Sequence, residues 1–122
     1  MRKPKVIGEV VGLLDELPWG GVKIDVWVVK GLQHEDGDEC VALACSDQMC
    51  IFLDTAMRPG LIQEWLGHEL MHLFADHLEI KLKHDNIAIL GHCVINCLSN
   101  YLDFTVLRES FEGMVNEHGS LS

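Results

Sequence analysis

Pro59-Gly60-Leu61-Ile62-Gln63-Glu64-Trp65-Leu66-Gly67-His68-Glu69-Leu70-Met71-His72-Leu73-Phe74-Ala75-Asp76-His77-Leu78 is the stretch that organises this chain. Pro59 stands where a helix can begin, and Leu61, Ile62, Trp65, Leu66, Leu70, Met71, Leu73, Phe74 and Leu78 make the segment after it apolar nearly all round. That pattern predicts a helix crossing a core. Within it, His68 and His72 are four residues apart, a little more than one helical turn, so both imidazoles lie on one face within reach of a single tetrahedral ion. Glu69 sits beside them. An ion held by the two rings lowers the pKa of its bound water, and a neighbouring carboxylate takes that proton and passes it to a leaving group. Three ionisable groups in so apolar a helix are costly to bury without a compensating partner, and a metal ion is such a partner.

The chain around this stretch has 122 residues, 48% of them hydrophobic, which is enough for one core and one domain spanning residues 1–122. Nineteen acidic against nine basic side chains give a formal charge of −10, which repels phosphate backbones and anionic lipid. Neither nucleic acid nor a membrane is therefore expected as a partner. Arg2, Lys3 and Lys5 precede an apolar run from Val6, but Glu9, Asp15 and Glu16 interrupt it and no small-residue cleavage site follows. The expectation is a cytoplasmic protein without a signal peptide or a membrane span. Five cysteines, an odd number with no C-x-x-C pair, read as reduced, buried small hydrophobes.

Residues 6–17 place Ile7, Val10, Val11, Leu14 and Leu17 at a helical period that ends at Pro18 and Gly20-Gly21, predicting a first helix. Residues 22–30 alternate around Val22, Ile24, Val26 and Val28 as a strand does. The polar segment 31–39 leads to a second strand at 40–45, a short turn comes next at 46–48, and a third strand occupies 49–53. After the motif helix, a polar break at 79–85 precedes a second long helix over about 86–107, with Ile87, Leu90, Val94, Leu98 and Tyr101 as its core stripe, and 117–122 reads as a mobile tail. The predicted fold is α+β: an N-terminal helix, a three-stranded antiparallel sheet, and the motif helix and second long helix packed on that sheet.

Catalytic zinc sites take three protein ligands and leave a position for water. On the second long helix, His92, Asn96, Asn100 and Asp103 succeed one another at four, four and three residues, a row on one face. If that helix packs antiparallel to the motif helix, the row faces His68 and His72, with His92 as third ligand and Asn96 orienting an imidazole. His77, Asp76 and Asp103 are the other candidates for the third place.

The pentad His68-Glu69-Leu70-Met71-His72 resembles the first motif of the zincin metallopeptidases, and the chain looks like a small gluzincin-like domain. In that group a third ligand comes from a later helix about twenty residues on, with a second group one turn beyond it, and His92 and Asn96 stand at those places. The chain departs from the pattern in having His92 where the group has Glu, and no Glu occurs between Glu79 and Glu109. Metzincins and the bacterial rRNA-maturation metallohydrolases carry a third histidine six residues past the second, whereas His77 comes after five. ImmA/IrrE-type and compact phage-encoded zincin-like domains show an acidic residue one turn past the motif, which Asp76 matches. The resemblance covers mainly residues 59–103. It implies a zinc-dependent metallopeptidase with Zn2+ on His68, His72 and His92, and Glu69 as general base and then acid. A peptide or protein substrate would lie along 49–53, and Tyr101 or His84 would steady the oxyanion. The alternative is a non-catalytic zinc-binding interaction or regulatory module that keeps the zincin fold. A nuclease-like hydrolase acting on RNA is disfavoured by the charge.

Overall fold

The computed structural model describes residues 3–19, 21–100 and 102–118. Its α+β fold has strands β1 (Ile7–Trp19), β2 (Val22–Gln33), β3 (Ala42–Cys45) and β4 (Cys50–Asp54), then a 3-10 turn at Pro59–Leu61. Helices α1 (Ile62–His77), α2 (His84–Leu98) and α3 (Phe104–His118) complete it. The sheet order is β1-β2-β4-β3, with β2 and β4 parallel and the other two pairs antiparallel. No helix among the described residues is long and apolar enough to cross a membrane.

The expected N-terminal helix is a strand, and the reason lies in its bulges. Pairing of β1 with β2 slips between Ile7 and Glu9, between Val10 and Gly12, and between Leu13 and Asp15. Val11 and Leu14 are the extra residues at the last two slips, and each extra residue resets the alternation of faces. Val10 and Leu13 thus pack on one side of the sheet while Val11, Leu14 and Leu17 pack on the other. A period of two interrupted in this way imitates a helical period.

The sheet is four-stranded and mixed, not three-stranded and antiparallel. β4 lies between β2 and β3, and all five of its residues are buried. Its continuous apolar run Cys50-Ile51-Phe52-Leu53 suits a strand covered on both faces. Asp54 ends it, with one carboxylate oxygen accepting the Leu32 N–H and the other the Ala56 N–H, both at 2.8 Å. That buried carboxylate ties the end of β4 to the end of β2, so its two charge-assisted hydrogen bonds offset its desolvation.

Helices α1 and α3 cover one sheet face, where Ile24, Val26, Val28, Ile51 and Leu53 meet Leu66, Leu70, Leu73, Phe104, Leu107 and Phe111. The opposite face holds a smaller cluster around Trp27, Val29, Leu32 and Phe52. The predicted second long helix is two helices. Asp103 breaks it by accepting the Thr105 and Val106 N–H groups at 3.0 and 3.2 Å, an N-cap for α3. Glu117 and His118, expected in a mobile tail, close α3, and 119–122 lie outside the described residues.

Two local features set how α2 meets α1. The chain leaves α1 through a Schellman turn in which Ile80 N–H reaches the Ala75 carbonyl at 2.8 Å and Glu79 N–H the Asp76 carbonyl at 3.2 Å. Glu79 takes the left-handed position at φ 56°, where glycine is the favoured residue. Farther along, Gly67 and Gly91 face each other so closely that a Cβ on Gly67 would lie 2.5 Å from the Gly91 carbonyl oxygen. A Cβ on Gly91 would lie 3.0 Å from the Gly67 carbonyl carbon and oxygen. Backbone cannot yield as a side chain does, so Gly67→Ala forces the helices apart.

Denaturant unfolding of three variants checks this packing. Gly67→Ala is expected to lose about 3 kcal/mol, as overpacking against backbone does. Gly113→Ala, in α3 with nothing within 4 Å of its would-be Cβ, should gain about 0.5–1 kcal/mol. Glu79→Gly should gain up to about 1 kcal/mol by relieving the left-handed cap. Unchanged stability in Gly67→Ala would refute the close helix crossing.

Candidate metal centre

His68 and His72 owe their pairing to α1 itself. One turn apart on the helix, their Nε2 atoms are 3.1 Å from each other and both rings are half-buried. Two nitrogens bound at 2.0–2.1 Å to one tetrahedral ion are about 3.3 Å apart, so the pair already has ligand spacing. The third imidazole is His84, at the first turn of α2. Its ring centroid is 5.1 Å from that of His68 and 5.9 Å from that of His72. Ligand nitrogens of the three lie within 4.8 Å of one another, and the group can hold a metal ion. Trp65 stands edge-on to His68 with centroids 5.7 Å apart.

His92, the third ligand expected from the sequence, is exposed on α2 with Asn96, and Asn100 is exposed in the turn that follows it. The face of α2 turned to α1 runs through His84, Ile87, Gly91 and Ile95, at spacings of three, four and four. His92 is the residue after Gly91 and is turned about 100° away from the helix contact. The signal for His84 was present in that row, because the contact stripe of α2 extends back to the first residue of the helix. The polar row was the more conspicuous pattern, but it faces solvent. The other candidates are also elsewhere. His77 and Asp76 are exposed at the end of α1, Asp103 caps α3, and Tyr101 lies outside the described residues. Asp76 acts on the site only through its charge, which favours protonated His72.

Electrostatics keep the two α1 imidazoles neutral, the form that ligates metal. Burial lowers the pKa of His68 below the ordinary histidine value, and neighbouring His72 and His84 add to the effect. Burial lowers that of His72 too, with His84 assisting. Glu69 is 6% exposed and lies on the opposite side of α1 from solvent, against the edge strand β3. Burial pushes its carboxyl up to about 7, against the influence of the Ala44 backbone N–H, which donates to it. A carboxyl held near neutrality can both take and give a proton at physiological pH.

The strand expected to hold a substrate, 49–53, has no free edge, since β4 is paired to β2 on one side and β3 on the other. The open edge near the site belongs to β3. Because Asp54 N–H reaches the Val41 carbonyl at 2.8 Å, Val41 and Asp54 form a hydrogen-bonded antiparallel pair. Alternation then makes Ala42/Leu53 and Ala44/Ile51 the pairs whose backbone groups point outward. The Ala44 N–H that meets Glu69 is one of these outward groups. A cavity of about 1450 Å³ on the other sheet face, between residues 3–7 and the segment 33–38, touches β3 but is not formed by the three clustered histidines. Compared with known protein families, curated proteins and solved structures, the chain matches none.

The buried carboxyl has a stability signature. Glu69 binds its proton more tightly in the folded chain than in the unfolded one, so its contribution is neutral below about pH 4.5 and becomes destabilising as pH rises through about 7. His68 and His72, with lowered values, act in the opposite sense as pH rises towards 6.5. The difference between wild type and Glu69→Gln, both treated with chelator, isolates the carboxyl. Urea titrations at pH 4.5 and 7.5 should show wild type losing about 3 kcal/mol relative to Glu69→Gln. A pH-independent difference would mean that Glu69 is solvated.

Proposed function

We propose that this chain is a zinc-dependent hydrolase of the metallopeptidase type, with His68, His72 and His84 holding the ion and Glu69 handling the proton. The observation that carries the reading is the convergence, from a separate helix, of a third imidazole on the His68–His72 pair, with a buried glutamate adjoining it in the chain. Three nitrogen donors within 4.8 Å of one another, two of them already at tetrahedral spacing, fit zinc, for which imidazole is a preferred ligand. When bound, zinc supplies Lewis acidity that brings the pKa of a coordinated water towards neutrality.

The remaining roles belong to the chain. Glu69 accepts a proton at its carboxylate and returns it to the departing nitrogen, and its burial holds the pKa in the range where both transfers run at neutral pH. Ala42 is buried, so strand addition of an extended peptide at the outer edge of β3 rests on the Ala44 carbonyl. Such a peptide lies within reach of Glu69, because the Ala44 N–H already does. The formal charge of −10 favours a cationic segment over an anionic one. Trp65 limits the freedom of the His68 ring and so positions it.

Zinc affinity measured by competition with a chromogenic chelator should fall at least about 100-fold in His84→Ala and stay within about twofold of wild type in His92→Ala. The reverse order would remove His84 from the site. Glu69→Gln should keep its zinc and lose about 1000-fold in turnover of a quenched peptide library, the scale of a lost general base. Stoichiometric zinc with no cleavage by wild type, and partner binding unaffected by Glu69→Gln, would instead mark a zinc-bearing interaction module.

A further inference from the structure

We propose that Cys45 and Cys50 form a thiol–disulfide pair that closes across the β3–β4 hairpin. The two residues are directly opposed in the strand register. Their side chains share one sheet face, Cys50 inside the cluster of Trp27 and Phe52 and Cys45 packed against it. The alternation set by the Val41/Asp54 bond makes Cys45/Cys50 a hydrogen-bonded pair, in which Cα atoms are about 5.5 Å apart. That is a common Cα separation in disulfides, and the Cβ atoms, about 5.5 Å apart in such a pair, have to close by about 1 Å for the bond to form. The turn between them is closed by Met49 N–H on the Ser46 carbonyl at 3.3 Å, with Met49 in the left-handed region at φ 51°. Both sulfurs also meet one residue: the Gln48 side-chain amide donates to Cys45 Sγ at 3.3 Å, and the Cys50 thiol donates to the Gln48 carbonyl at 3.2 Å.

The other cysteines lack this arrangement. Cys93 and Cys97 are exposed and one turn apart on α2, where a bond between them would join no two elements of the fold. Cys40 precedes β3 and has no cysteine opposite it; its N–H is bonded to the Leu32 carbonyl.

A low-molecular-weight disulfide such as oxidised glutathione supplies the oxidant. Cys45, the more accessible of the two, attacks as thiolate; its sulfur bonds to one glutathione sulfur and the other leaves as a thiolate. Cys50 then attacks the Cys45 sulfur, forming the cross-strand bond and expelling the second glutathione thiolate. Two protein thiols lose two electrons and two protons in all, and one glutathione disulfide becomes two glutathione thiols. Environment sets the order: Cys50 is 4% exposed and its thiol is pushed up to about 11, chiefly by burial, so it forms thiolate poorly until the mixed disulfide is beside it. The bond would lock the end of β3, one residue from the Ala44 amide that donates to Glu69. The pairing itself is independent of whether the histidines hold zinc.

Incubation of the full chain with oxidised glutathione, trapping of free thiols with N-ethylmaleimide and cleavage before Asp47 separates the two cysteines unless they are bonded. The expected product is a cross-linked peptide pair in which fragmentation places maleimide on Cys40 and the bond on Cys45 and Cys50, lost on reduction with dithiothreitol, in zinc-loaded and chelated protein alike. Cys50→Ser should accumulate a glutathione adduct on Cys45, whereas Cys45→Ser should form one on Cys50 at least tenfold more slowly. Linkage of either residue to Cys40 would overturn the proposal. So would maleimide on both Cys45 and Cys50 at oxidant levels that fully modify Cys93 and Cys97. The wild-type mapping decides the question even if a variant fails to fold.

Discussion

The contact of Gly67 with Gly91 is the constraint on which the candidate centre depends. Glycine within a helix costs about 1 kcal/mol relative to alanine, and here two such costs meet at one crossing. What they permit is an approach in which a Cβ on either residue would strike the other helix's backbone. Gly67 immediately precedes His68, so the closest point of the crossing is also the entrance to the histidine group. With α2 drawn in so far, Ile87 and Ile95 are buried beside α1, and His84 on the same face reaches the other two rings. A wider crossing would leave a pair of imidazoles and no third.

Two buried carboxylates show how environment separates structural from chemical roles. Asp54 commits both oxygens to backbone amides of neighbouring segments and secures the end of the central strand. Glu69 has the Ala44 amide and otherwise apolar burial, so its proton is held until near neutral pH. The first carboxylate is committed on both oxygens to holding two segments together. The second is kept in a state from which it can exchange a proton, and it is next in the chain to His68, whose imidazole is kept neutral by its own burial and by the neighbouring histidines.

Much of the architecture was legible, and the failures have specific causes. Helix α1 and strands β2, β3 and β4 stand within a few residues of their expected places, because long apolar periodicity and turn residues are local signals. β1 was hidden by its bulges, which convert a two-residue alternation into an apparent helical one. The single helix expected over 86–107 was divided by Asp103, whose carboxylate prefers capping a new helix to facing a metal. The pairing of β4 with β2 could not be read from chain order, since the connection 34–41 carries β3 past the place that β4 then fills. Cys93 and Cys97, expected as buried hydrophobes, are exposed because α2 uses Gly91, Ile87 and Ile95 for its contact instead.

The amino-acid order alone determined that His68 and His72 would share a helical face with Glu69 next in the chain, because residues four apart are neighbours on any α-helix whatever surrounds it. It also determined an α+β composition and a strongly acidic surface. Which third residue joins the histidines was decided by tertiary structure. A residue twelve positions from His72 reaches it only through the crossing of two helices, and that crossing is set by a backbone-to-backbone contact between two glycines whose meeting no local period announces.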